Sequence, residues 1–165
     1  MTLFELPTFT LVHVVISVFG IIAGLIVVGG LLAGAQFKAW TAFFLGTTVL
    51  TSATGFGFPA TGGTSPAQVV GVVSLAVLAV CITARYWKHL VGRWRATYVV
   101  SAVAALYLNV FVLVVQLFAK TPSLAQLAPT QREAPFAVTQ ALVLLMFAWI
   151  GWSAVRTPAR ARSIG

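Results

Sequence analysis

Aspartate is absent from this 165-residue chain, and its only acidic side chains are Glu5 and Glu133. A Ser-His-Asp triad or a carboxylate-bridged metal cannot be built from that set. Neither glutamate stands inside an apolar run, where an acid would be needed for proton-coupled transport. Cysteine is nearly absent too: Cys81 is alone, which excludes an intrachain disulfide and any CxxC metal or redox motif. Charge of either sign is scarce, at 7% of residues, where soluble domains carry roughly 25%. No catalytic constellation is left, and the sequence reads as non-enzymatic.

What fills the chain instead is apolar, at 60% of residues. Five apolar runs stand out, at 9–32, 39–58, 67–86, 97–118 and 136–155. Each has about the 20 residues that a helix needs to cross a ~30 Å hydrocarbon core. They lack the alternation of membrane-barrel strands. The prediction is an all-α integral membrane bundle of five transmembrane helices, with residues 1–165 forming one unit. The first run ends near Ala33-Gly34-Ala35, which imitates a signal-peptide cleavage site. It is too long for an h-region, and Glu5 sits where a basic n-region belongs, so it reads as a membrane helix.

The net charge of +8 would suggest nucleic acid in a soluble protein. Here the bases lie in the loops, where they set topology and meet anionic headgroups, and no nucleic-acid partner is expected. Arg85, Lys88, Arg93 and Arg95 crowd the loop Arg-Tyr-Trp-Lys-His-Leu-Val-Gly-Arg-Trp-Arg. Lys38 and the tail residues Arg156, Arg160 and Arg162 fall on the same alternate side, leaving Lys120 and Arg132 on the other. The rule that basic loops stay inside then predicts N-out/C-in. Pro7, Pro59, Gly62, Gly63 and Pro66 mark boundaries, and Trp40, Trp87, Trp94, Trp149 and Trp152 fall near inner helix ends as interfacial anchors. Residues 123–127, in the longest soluble segment, suit a short amphipathic helix on the outer surface.

The first run carries Gly20-xxx-Gly24 and Gly30-xxx-Gly34. Small residues four apart let helix backbones approach closely, either within the monomer or in a homo-oligomer seam. No inverted repeat of the transporter kind is visible, and five helices do not divide evenly.

Polar side chains at depth are the unusual feature. His13 lies roughly 6 Å inside the outer end of the first run, with Ser17 one turn deeper. Thr47, Thr51 and Thr54 share a face of the second, beside Ser52. Asn109 lies roughly 13 Å from the outer end of the fourth, and Gln116 is on the same face. Gln140 is one turn inside the fifth. Two readings fit this outer polar layer. In one, the side chains bond back to their own helices and staple neighbours. In the other, His13, Ser17, Thr51, Ser52, Asn109, Gln116 and Gln140 line a pocket for a quinone, a lipid headgroup or a small solute. Haem held by two histidines is excluded within one subunit, because His13 and His89 lie most of a membrane thickness apart. No cofactor is predicted, and only His13 is left as a single-histidine haem ligand.

The segments Tyr98-Val99-Val100, Tyr107-Leu108-Asn109-Val110-Phe111-Val112-Leu113-Val114-Val115-Gln116, Leu127-Ala128-Pro129-Thr130-Gln131 and Pro135-Phe136 resemble small uncharacterised multi-pass membrane proteins of proteobacteria. Thr54-Gly55-Phe56 and the early His13 fit the same pattern. The resemblance implies a bacterial inner membrane and assigns no functional residue. The expected function is an accessory or assembly subunit of a larger membrane complex, or a homo-oligomer. The alternatives are a binding or transport module built on the polar layer and, third, a redox subunit.

Overall fold

The structure, a computed structural model, describes residues 6–57, 66–159 and 163–164. Glu5, Pro59, Gly62, Gly63, Arg160 and Arg162, which entered the sequence expectations, lie outside the described residues. The elements are α1 (Leu6–Leu32), β1 (Gln36–Phe37), α2 (Lys38–Gly55), α3 (Pro66–Ile82), α4 (Trp94–Lys120), α5 (Pro122–Leu127), α6 (Ala134–Arg156) and β2 (Ser163–Ile164). A π-helical turn, Thr83–Trp87, extends α3. The two strands are a short parallel pairing of Gln36 with Ser163 and Phe37 with Ile164, an addition to the expected all-α chain. The amphipathic segment expected at 123–127 is α5.

Four helices are long and apolar enough to cross a membrane: α1, α3 with its π-helical turn, α4 and α6. The remaining run, 39–58, forms α2, whose 18 residues rise about 27 Å. Its buried face carries Thr41, Thr47, Thr48, Thr51 and Ser52, and these hydroxyls make it the least lipid-like of the five. Over its most apolar 18-residue window α6 is only 11% buried, and α1 and α3 only 28%. Leu11, Leu142, Leu145 and Trp149 face outward, which suits a hydrocarbon surrounding and not water.

Helix α4 is the centre, packing on α1, α3, α5 and α6, while α2 bridges α1 and α3. Thus α1, α2, α3 and α4 form a ring with α6 outside it. The half of the ring at the C-terminal end of α1 is solid, filled by Ala23, Val27, Phe44, Leu78, Cys81, Tyr98, Ala102 and Leu106. Gly24 permits that closure: a Cβ there would stand 2.6 Å from Leu106 Cδ1 and 2.8 Å from Phe44 Cε2. Gly20 faces Thr47 Oγ1, so the first glycine pair seats α1 inside the monomer. The second pair is not a helix seam. Gly30 lies under the Phe37 ring, and Gly34 is past the end of α1 in a turn with φ 72°.

The basic end is tied by its own cations. Arg95 donates to the carbonyls of Val155 (3.3 Å) and Thr157, pairing oxygens that the end of α6 leaves without helical partners. Arg85 donates to Gln36 Oε1 at 3.3 Å and lies 5.2 Å from the centre of the Tyr98 ring. Arg156 stacks 4.0 Å over Trp152, while Trp87 stands out from the surface.

Candidate functional site

At the other end the ring is hollow. A cavity of about 630 Å³ lies between α1, α2, α3 and α4, within the ~300–1,000 Å³ typical of small-molecule sites. Two helices line it by one rule. From α1 come Thr10, His13, Val14, Ser17, Val18 and Ile21, and from α4 come Asn109, Val112, Leu113, Gln116, Leu117 and Lys120. Both sets follow i, i+3, i+4, i+7, i+8, i+11, the trace of one helix face. Helix α2 adds Thr51, Ser52 and Gly55, and α3 adds Val70, Gly71 and Ser74.

The polar groups are concentrated beside α2. His13 Nδ1 is 2.8 Å from Thr54 Oγ1, whose hydroxyl donates to the Leu50 carbonyl at 2.7 Å. With that hydrogen committed, Thr54 accepts, and His13 Nδ1 is the donor. Ser17 Oγ donates to the His13 carbonyl at 2.7 Å and stands 3.4 Å from Thr51 Oγ1. Ser52 Oγ donates to Ser74 Oγ at 3.0 Å, and Asn109 Nδ2 donates to Thr48 Oγ1 at 3.3 Å. These bonds staple α1 to α2, α2 to α3 and α2 to α4 around the cavity. Interleaved with the polar groups on the same α1 and α4 faces, Val14, Val18, Leu108, Val112, Leu113 and Leu117 give the cavity an apolar surface.

Six of the seven pocket candidates therefore line one cavity: His13, Ser17, Thr51, Ser52, Asn109 and Gln116. Gln140 does not join them. Its Nε2 donates to the Phe111 carbonyl at 3.2 Å in the α4–α6 seam, and its Oε1 is buried without a partner among the described residues. Phe111 is two residues past Asn109, about 200° around α4, so Gln140 sits at a suitable depth on the wrong side of the helix. Thr47 bonds back to the Phe43 and Phe44 carbonyls outside the cavity.

Lys120, Ser74 and Thr10 were not anticipated. Lys120 was assigned to a loop, but α4 runs through it, which puts it on the Asn109–Gln116 stripe at i+11. The spacing was the available signal. Lys120 makes no hydrogen bond or ion pair among the described residues, and neither does the Gln116 side chain. No group of three or more His, Cys, Asp or Glu able to hold a metal occurs among the described residues. His13 lines the cavity while His89 is in the α3–α4 connection, at the opposite end of the bundle.

Comparison with known protein families, with curated proteins and with solved structures finds nothing that matches this chain.

Proposed function

We propose that this protein crosses a bacterial inner membrane five times, N-out/C-in, and binds a membrane-soluble amphiphile in the cavity between α1, α2, α3 and α4. The observation that carries it is the mixed lining, in which Thr51 and Ser52 of α2, His13 and Ser17 of α1 and the Asn109 and Gln116 amides of α4 share one cavity with aliphatic side chains of α1 and α4. Such a site suits a molecule that is itself part polar and part apolar. The bacterial inner membrane rests on the resemblance to small proteobacterial membrane proteins, and the orientation rests on the basic loops. Among the described residues no acid or metal cluster lines the cavity, and the proposed role is to bind or carry.

Native mass spectrometry of protein released from its own membranes tests this. Wild-type protein should retain a small amphiphile, and a Val112→Trp variant, which fills the cavity, should lose it. A wild-type protein that carries nothing beyond detergent and bulk lipid would overturn the reading. A second reading, an accessory subunit of a larger complex, draws on α6, whose apolar face is left almost entirely outside the bundle. Co-purification of a stoichiometric partner in the same spectra would favour it.

A further inference from the structure

We infer that the ligand is an acidic amphiphile, one anionic headgroup on a single apolar body, and that Lys120 selects its charge. This rests on the cavity being a binding site and goes on to name what the site takes.

Lys120 is the one formally charged side chain among the described residues that line the cavity, and no carboxylate shares that lining. Glu133, the nearest acidic residue in sequence, is engaged elsewhere. Its Oε1 accepts from the Thr130 hydroxyl at 2.7 Å and its Oε2 from the Arg132 amide at 3.0 Å. Among the described residues, the site therefore has a positive charge at one end with no carboxylate to compensate it. A neutral ligand leaves that cation unused, and a cationic ligand is repelled by it.

The dimensions accommodate one apolar body. Lys120 and Asn109 bound the stripe on α4 and are eleven residues apart, which is about 16 Å of helix rise. Spread over that length, 630 Å³ leaves a mean cross-section of about 40 Å², which accommodates one extended chain or ring. Gln116, one turn inward of Lys120, supplies an amide to the same headgroup. Val112, Leu113, Val14 and Val18 face the body, and Asn109 meets its far end.

Binding of palmitate, lysophosphatidate, hexadecanol and hexadecylamine to the full chain in detergent micelles tests the inference. The expected order is acid over alcohol over amine. The Lys120→Gln variant should weaken the acids about tenfold, the scale of one charge-assisted hydrogen bond, while leaving the alcohol unchanged. Lys120→Glu should reverse the order of acid and amine. Lys38→Gln, at the opposite end of the bundle, should change nothing. Palmitate against lysophosphatidate distinguishes a carboxylate from a phosphate source. Equal affinity for acid and alcohol, or acid binding indifferent to Lys120, would overturn the charge assignment while the cavity remains a binding site. If none of the four binds to wild type more tightly than to Val112→Trp, the binding reading fails with it.

Discussion

Asn109 holds α4 to α2 through Thr48 and also lines the cavity, so stapling and lining are two roles of one side chain. Asn109→Leu removes the amide at similar size. Its structural cost should be ~0.6–2 kcal/mol, the range for an interhelical hydrogen bond in lipid, read as a modest drop in thermal stability in detergent. If the cavity is a site, retention of the bound amphiphile in native spectra should fall as well. An unchanged bound species would leave Asn109 a staple alone. Glu133 gives a residue-scale prediction outside the membrane. The Thr130 hydroxyl, followed by backbone amides of the same turn, holds its carboxyl below the usual carboxylate range. A depressed folded value means the stabilisation is present above the unfolded pKa and lost as pH falls through the lowered folded one. Protection of the Thr130 and Arg132 amides, taken against the intrinsic exchange rate at each pH, should therefore fall on acidification, and in Glu133→Gln it should be low at all pH values.

Helix faces were readable where two residue types recur at one spacing. The α1 and α4 stripes differ in composition but share a template, which is why His13, Ser17, Asn109 and Gln116 could be grouped from sequence. Gln140 could not be placed, because a position along a helix gives depth and leaves undefined which side of its neighbour it meets. Lys120 was lost to the boundary: an apolar run ends at the first charge, whereas a helix continues while its carbonyls find amides. Gly24 and Gly29 are alike in sequence and opposite in surroundings. A methyl at Gly24 would press on Leu106 and Phe44, both fully buried, while nothing lies within 4 Å of a methyl at Gly29. Gly24→Ala should cost about 1–3 kcal/mol, as overpacking does, and Gly29→Ala should be close to neutral. Thermal unfolding in detergent compares the two. Equal effects would mean that α1 does not seat on α2 and α4 through Gly24.

For the whole molecule, the placement of α2 relative to the bilayer decides the number of crossings. Hydropathy separates it from the other four because threonines and serine occupy its buried face, but those hydroxyls point into the ring and not at lipid. Phe43 and Leu50 face outward, so the surface that α2 offers to hydrocarbon is apolar even though its average is not. A rise of about 27 Å is short of a ~30 Å core by little, within what local thinning accommodates. Parity makes this testable without resolving α2 itself. An odd number of crossings puts the two ends of the chain on opposite faces of the membrane, and an even number puts them on one face. Thr8 and Pro158 are both exposed near those ends, and the native Cys81 is fully buried and contributes little background. With a membrane-impermeant maleimide, Thr8→Cys should label in intact spheroplasts and Pro158→Cys only after permeabilisation. Ser123→Cys, on α5, should label with the first, and Val91→Cys, in the basic connection, with the second. Labelling of Thr8→Cys and Pro158→Cys from the same side would mean four crossings. The α2 segment would then lie outside the hydrocarbon, and the cavity it walls would not be a membrane site.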